Sequence, residues 1–430
     1  GDDQYPSNAP QILVSGKGAY VTDPAGRSFL DYGMGLRSVT LGYADEQVNA
    51  GAIAAIERGN NLTRPSTLEL EAAEAMVGLF PWADMVKFAK NGSTVTTAAV
   101  KLARAYTGRG LVAVCAEHPF FTFDDWFIGT TPVARGIPDE HASLTLKFHY
   151  NDIASLQRLF DEHPGGIACV MLEPATTESP CAGACSSLRG PSRCAECPHR
   201  AANFLQQVRE LCTRNGALLV LDEMITGFRW DLRGAMRTYG VEPDLATFGK
   251  GMANGFALAA LVGKRAIMEL GGIRQEGAER VFLISTTHGS EMSAFGAFLA
   301  ALEVYRDRQV CEGFWAYGNQ LVDGLNAIAR DEGVAERFEA GGFGCSPYYI
   351  ARNAQGEPDL GFRTLFSQGM VDGGVLMPFI ALSASHGPQE LERTLDAARG
   401  ALRIYARALN DGLGPYLQGP AIKPVFRARN

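Results

Sequence analysis

Four short apolar runs constrain this chain more than any other feature. They are "LVAVC" (111–115), "IACVMLEP" (167–174), "ALLVLDE" (217–223) and "DLATFGK" (244–250), and most end in a charged or turn residue. None alternates apolar with polar, so both faces of each strand must be buried, which is the condition of a parallel sheet covered by helices on both sides. Between the runs lie helical periods. One opens after "NGST" (91–94), with Val95, Ala99, Leu102 and Tyr106 on one face and Lys101 and Arg104 turned away. Another is "AANFLQQVRELCTRNG" (201–216), with Phe204, Val208 and Leu211 in step and a glycine stop. The alternation predicts an α/β fold with a mostly parallel sheet.

The ends differ from the middle. "YVTDPAGRSFLDY" reads as two short strands around a turn, and residues 301–430 mix long helices with short strands such as "CSPYYIAR" and "IALSAS". The expected organisation is a large α/β domain over 60–300 and a small α+β domain built from 1–59 and 301–430. The composition, 46% hydrophobic and 20% charged, suits a packed enzyme or binding protein. A net charge of −8 with no run of like charge argues against nucleic-acid and anionic-membrane partners. Stretches such as "ALAALV" fall far short of the roughly 20 residues that cross a bilayer. The polar start "GDDQYPSNAP" lacks an apolar leader, and five scattered cysteines (Cys115, Cys169, Cys212, Cys311, Cys345) read as buried thiols, so the expected compartment is the cytoplasm.

In parallel sheets, function gathers at the carboxyl ends of strands. Three such places here carry chemistry: Asp222 with Glu223 after "ALLVL", Lys250 after "DLATFG", and the "NGST" turn before a helix. A lysine in a glycine-rich, partly desolvated setting is a nucleophile toward aldehydes and a base. A buried carboxylate can keep a ring nitrogen protonated, and a helix start with the Ser93 and Thr94 hydroxyls suits a phosphate. Pyridoxal phosphate has the aldehyde, the ring and the phosphate. Each feature alone has an ordinary reading, as a surface turn, a loop carboxylate or a helix cap; their joint occurrence in this order points to the cofactor.

The string "VLDEMITGFRWDLRGAMRTYGVEPDLATFGKGMANGFALAALVGKRAIME" (220–269) resembles the core of class-III, fold-type I pyridoxal-phosphate aminotransferases, nearest the glutamate-1-semialdehyde aminomutase group. "MVKFAKNGSTVTTAAVKLARAYTGR" (85–109) resembles that group's phosphate-cup helix, and the terminal "GAYVTDPAGRSFLDY" and "ALSASH" match in style. The resemblance implies that Lys250 forms the Schiff base and shuttles the Cα proton. It further implies that Asp222 faces the pyridine nitrogen, Ser93 and Thr94 hold the phosphate, and Met224 packs on the ring. Thr287, in "ISTTHGSE" (284–291), falls where the family's phosphate-binding threonine comes from the neighbouring subunit, which implies a homodimer with shared active sites.

Departures matter as well. The family's Ser-Gly-Thr-Glu cup reads Gly-Ser-Thr-Val here, with Val95 in place of the glutamate, and its ring-stacking Tyr-His-Gly is replaced by "EHPFFTFDDWF" (117–127), where His118 is the stacking candidate and Phe120 the next. The aminomutase's substrate-binding arginine has no counterpart in "GDDQYPSNAPQIL", which speaks against glutamate-1-semialdehyde as substrate. Arg37 is a candidate for a substrate anion, with an ordinary salt bridge as its alternative, and Glu223 and Arg229 read as structural ion-pair candidates. The expected reaction is transfer of an amino group between a small amino compound and a carbonyl acceptor. Intramolecular amine migration, racemisation or epimerisation, and a non-catalytic regulatory role are the alternatives.

An insertion at about 179–200 carries Cys181, Cys185, Cys194 and Cys197, spaced C-x3-C-x8-C-x2-C. Four thiolates at that spacing can close a structural zinc site, with His199 as a spare ligand; disulfides and unlinked thiols are the competing readings.

Overall fold

The computed structural model describes residues 4–181, 203–274, 276–277 and 279–428. The chain divides into two units, Gly1–Asp45 with Gln309–Asn430, and Glu46–Arg308.

The first unit opens with β1 (Ser15–Lys17), β2 (Tyr20–Thr22) and β3 (Ser28–Asp31), paired antiparallel in sequence. Asp23 closes the β2–β3 turn by accepting the amides of Ala25 and Arg27 on Oδ1 at 3.0 and 2.9 Å. The second unit follows with helices α1 (Glu46–Glu57) and α2 (Thr67–Val77), then β4 (Met85–Ala89) and α3 (Gly92–Thr107). Further strands are β5 (Leu111–Cys115), β6 (Thr145–Phe148), β7 (Ile167–Leu172), β8 (Leu218–Asp222), β9 (Leu245–Phe248) and β10 (Ala259–Gly263), with helices α4 (Ile153–Glu162), α5 (Phe204–Asn215), α6 (Ala235–Tyr239) and α7 (Met292–Asp307). The chain returns to the first unit through α8 (Val310–Asp331), the hairpin β11 (Phe338–Phe343) and β12 (Ser346–Ala351), α9 (Leu360–Asp372), β13 (Val375–Leu376) and α10 (Pro388–Asp411). β13 pairs parallel with β3.

The larger unit is built on one seven-stranded sheet, ordered β4-β10-β9-β8-β7-β5-β6. The β9-β8-β7-β5-β6 pairings are parallel, and β10 runs antiparallel to both of its neighbours. β7, β8 and β9 are buried at every position, as their unbroken apolar runs require. "IALSAS" is not a strand. Instead the Ala381 amide donates to the Tyr32 carbonyl and the Ala384 amide to Thr40, single bonds that build no ladder. α1 falls in the larger unit, although 1–59 reads in sequence as part of the smaller domain. A Cβ on Gly51 of α1 would stand 2.6 Å from the Gly296 carbonyl of α7, so these helices meet backbone to backbone. Among the described residues no helix is long and apolar enough to cross a membrane.

Candidate active site

β8 and β9 pair in a register that sets Asp222 opposite Thr247. Asp222 is 3% exposed, and its Oδ1 accepts the Thr247 hydroxyl and the Met224 amide, both at 3.0 Å. Both bonds end on Oδ1, and Oδ2 accepts none among the described residues. Burial pushes the carboxyl up to about 6, while the Met224 amide, the Lys250 charge and the Thr247 hydroxyl pull it back. It is therefore a largely ionised carboxylate with one oxygen open to a cationic donor. Thr247, which sequence reading passed over, is the polar residue inside the apolar run "LATF", and that interruption is the signal that could have found it.

Lys250 begins a 3-10 turn, Lys250–Ala253, three residues after Thr247. It has φ 43°, a left-handed conformation that costs a non-glycine residue about 1 kcal/mol. The Tyr305 hydroxyl fixes the turn by donating to the Gly251 carbonyl at 2.8 Å, and the Met252 amide donates to Gly249 at 3.0 Å. Strain of this kind is retained where the backbone must aim a particular side chain.

The start of α3 forms the third side. Asn91 caps it, accepting both the amide and the hydroxyl of Thr94 on Oδ1 at 2.9 and 3.0 Å. The Thr94 hydroxyl proton is thus committed to the cap. Ser93 Oγ instead accepts the Phe123 amide at 3.1 Å, which leaves its own proton to give. Val95 is fully buried in the core. Met224 lies between this turn and Lys250: a Cβ on Gly92 would stand 3.0 Å from its sulfur, and one on Gly249 would stand 2.7 Å from it. Two glycines and a thioether therefore line a cradle that added side chains would fill.

The segment after β5 is tied onto α3 by hydroxyls. Thr97 donates to Asp124 Oδ2 at 2.5 Å and accepts from the Trp126 indole at 2.9 Å, and the Thr96 hydroxyl donates to the Phe121 carbonyl at 2.8 Å. His118 is 3% exposed, between the rings of Phe121 and Tyr150. Burial lowers its imidazole to about 4, so the ring is neutral. Nδ1 accepts the Glu173 amide at 2.9 Å, which places the proton on Nε2, and that buried nitrogen has no hydrogen-bond partner among the described residues. Phe120, the other stacking candidate, is 44% exposed.

The remaining candidates are held by contacts of their own. Thr287 is exposed, and its carbonyl accepts Asn61 Nδ2 at 3.0 Å. Four residues on, Glu291 pairs with Lys90 at 3.1 Å, just before the Asn91 cap. Arg37 belongs to the smaller unit, at the end of a left-handed turn over Met34–Arg37, with φ 40°, 55°, 56° and 72°. Its Nη1 donates to Ser346 Oγ at 3.1 Å, and the guanidinium lies 5.1 Å from the Phe379 ring centroid. Asp31 holds the turn by accepting the amides of Gly33 and Met34. Glu223 is fully buried and accepts the amides of Ala235 and Met236 at 2.9 and 2.7 Å and the Thr226 hydroxyl, so it fixes the loop into α6; Arg229 is also buried. Of the cysteine cluster, Cys181 is buried, while Cys185, Cys194, Cys197 and His199 lie outside the described residues. Among the described residues no group of His, Cys, Asp and Glu could hold a metal ion.

Among the described residues, the open oxygen of Asp222, the unpartnered Nε2–H of His118, the glycine cradle and the Gly92 and Ser93 amides that open α3 fit a phosphorylated cationic ring beside a lysine. Fold and site together define a fold-type I pyridoxal-phosphate enzyme. The sequence pattern described as aminotransferase class-III matches residues 4–155 and 195–346, and the chain belongs to that family. It is 31% identical over 420 residues to the glutamate-1-semialdehyde 2,1-aminomutase of Thermus thermophilus, covering 91% of this chain and 92% of that one. The pyridoxal-phosphate internal aldimine form of the FumI protein from Sphingopyxis sp. MTA144 superposes with a TM-score of 0.83 at 27% identity, covering 97% and 94% of the two chains. An omega-transaminase from Sphaerobacter thermophilus shares the fold, with a TM-score of 0.78 at 24% identity over 95% and 94%.

Proposed function

We propose that the protein transfers an amino group between a small amino compound and a carbonyl acceptor, with Lys250 and Asp222 as the catalytic pair. The observation that carries this is the strand-end pairing of a strained lysine with a buried carboxylate whose Oδ2 is open. When bound, pyridoxal phosphate supplies a ring that absorbs the electron pair left behind when a proton leaves the substrate's amine-bearing carbon. Lys250 anchors the cofactor and, once released, takes that proton and gives it back. Asp222 keeps the ring nitrogen protonated by accepting from it. The Ser93 hydroxyl and the Gly92 and Ser93 amides hold the phosphate, Thr94 supports them through the cap, Met224 packs on the ring, and His118 offers its Nε2 proton from the buried side. Thr287 is exposed, as a residue serving a partner subunit's phosphate in a homodimer must be. Arg37 remains the candidate for an anionic group of the substrate, and Cys181, Cys185, Cys194 and Cys197 for structural zinc. Sedimentation of the holoenzyme tests the dimer, an Arg37→Ala rise in KM at unchanged kcat tests the anion contact, and metal analysis of reduced, metal-replete protein tests the zinc.

The decisive experiment is borohydride reduction of the holoenzyme followed by peptide mass mapping. The cofactor mass is expected on the Lys250 peptide, and Lys250→Ala is expected to lose the yellow band of lysine-bound pyridoxal; a variant that keeps the band overturns the assignment. Turnover should fall at least about a thousandfold in that variant, because base and tether go together. Conversion of bound pyridoxal phosphate to pyridoxamine phosphate by an amine panel, with release of a carbonyl product, supports transfer. The similarity to an aminomutase favours a second reading, intramolecular amine migration, which predicts an isomeric amine as the only product. Cα deuterium exchange without a carbonyl product would instead support racemisation.

A further inference from the structure

At the other end of the same strands, the unit Glu46–Arg308 holds a cavity of about 880 Å³. Leu218 begins β8, Asp244 precedes β9 and Lys264 follows the antiparallel β10, so these lining residues mark the sheet edge opposite Asp222 and Lys250. The volume falls in the range of small-molecule sites, roughly 300–1,000 Å³.

The charge of this cavity runs against that of the chain. Its lining carries four arginine or lysine side chains against two carboxylates, in a protein with a net charge of −8. Asp244 sits at the centre. It accepts Arg209 Nη1 at 2.7 Å, Lys264 Nζ at 2.6 Å and the Leu219 amide at 2.8 Å. Burial would push this carboxyl up, but the Arg209 charge and the Lys264 hydrogen bond hold it below the usual range. One carboxylate therefore holds two cations side by side and offsets their repulsion. Their donors are not used up. Among the described residues Arg209 spends Nε on Thr213 Oγ1 at 3.2 Å and Nη1 on Asp244, which leaves Nη2, and Lys264 keeps two N–H groups. Arg237 lines the same cavity, is exposed, and has no anionic partner among the described residues. Spare donors from a fixed guanidinium and ammonium suit a phosphate, which presents several acceptor oxygens at once. The cavity is too large for that ion alone, and its wall supplies two partly exposed aromatic side chains, Trp82 and Tyr106. Faces of this kind stack on planar rings.

We propose that this cavity is a second ligand site, separate from the one at Lys250, for a small phosphorylated molecule with a planar ring, of the nucleotide class. Arg209, Lys264 and Arg237 take the phosphate, and Trp82 and Tyr106 take the ring. The site does not depend on which amine the enzyme uses, and its test leaves the transfer reading untouched.

The test is calorimetric titration of the holoenzyme with adenosine 5′-monophosphate and, separately, with inorganic phosphate. Cofactor absorbance is followed throughout to show that the strand-end phosphate position stays filled. The expected result is saturable binding of the nucleotide at least about tenfold tighter than phosphate, since stacking of the ring adds to the phosphate contacts. Arg237→Ala and Trp82→Ala should each weaken nucleotide binding at least about fivefold while thermal stability and turnover without nucleotide stay as in the parent. Absence of saturable nucleotide binding, nucleotide binding no tighter than phosphate, or unchanged affinity in both variants would each overturn the proposal.

Discussion

The strand pair β8–β9 carries an aspartate at each end, and the two are treated in opposite ways. Asp222, at the carboxyl end of β8, receives only neutral donors among the described residues, both on Oδ1, and burial pushes it up to about 6. Asp244, before β9, is saturated by Arg209, Lys264 and the Leu219 amide, and lies below the usual carboxylate range. On the proposed reading one carboxylate is kept for a cation that arrives from outside the chain; the other has its cations built in. The difference lies in their neighbours. An open buried carboxylate costs stability, a cost accepted at a site that binds a charged ring, whereas a saturated one consolidates the fold.

Substituting each aspartate separates these roles. Asp222→Asn preserves shape and both Oδ1 bonds, so the fold should survive, yet turnover should fall about a hundredfold to a thousandfold because the ring nitrogen loses its anion. Asp244→Asn should leave kcat within about twofold and lower the unfolding free energy by about 2 kcal/mol, a loss discounted because Lys264 is half-exposed. Steady-state kinetics and urea unfolding on both variants decide the matter. Equal catalytic losses at the two positions would erase the contrast.

A pH titration sharpens the contrast at the Asp222 end. A carboxyl raised to about 6 is ionised above that pH and protonated below it. The proposed pairing with the ring nitrogen uses the anion, so cofactor affinity should be flat above pH 6 and fall toward tenfold per unit below it. The cofactor's own groups also titrate in this range, so the Asp222→Asn profile is the control: the component absent from that variant belongs to Asp222. The sign for stability is the reverse of an ordinary salt-bridged carboxylate. The folded value is raised, so Asp222 stabilises the cofactor-free protein at acid pH, and this contribution is lost as pH rises through about 6.

Much of this arrangement was legible before any coordinates, and the exceptions share a cause. β5, β7, β8 and β9 declare themselves because strands buried on both faces leave unbroken apolar runs. β4 ("MVKFA") and β6 ("TLKF") are the outer strands of the sheet, each broken by an exposed lysine, and β10 ("AALVG") is rich in alanine and glycine, which carry little strand signal. Tyr106, in step with the buried face of α3, is 49% exposed, since the last turn of that helix reaches the cavity at the sheet's far edge. In the site, Asp222 and Lys250 were readable as strand-end residues. The left-handed backbone of Lys250 was not, because nothing local demands it; the turn is fixed from outside by Tyr305. The pairing of Arg209 and Lys264 on Asp244 joins residues as far as 55 positions apart, beyond any local pattern.

The smallest effect separates two hydroxyls that sequence could not rank. Ser93 and Thr94 both stand in the first turn of α3, and spacing alone makes them equal phosphate donors. The Thr94 proton is spent on Asn91 Oδ1, whereas Ser93 Oγ accepts from Phe123 and keeps its proton. Ser93→Ala should therefore weaken cofactor binding about tenfold, the value of one hydrogen bond to a charged group. Thr94→Val should weaken it no more than about threefold and act mainly through the cap, lowering stability by about 0.5–1 kcal/mol. Fluorescence titration of cofactor-free protein with pyridoxal phosphate, alongside thermal unfolding of both variants, measures the two quantities independently. Were Thr94→Val the more damaging for binding, its hydroxyl would have to leave Asn91 when phosphate arrives, and the rule drawn from Asp222, that the group left uncommitted by the protein serves the ligand, would not extend to the helix start.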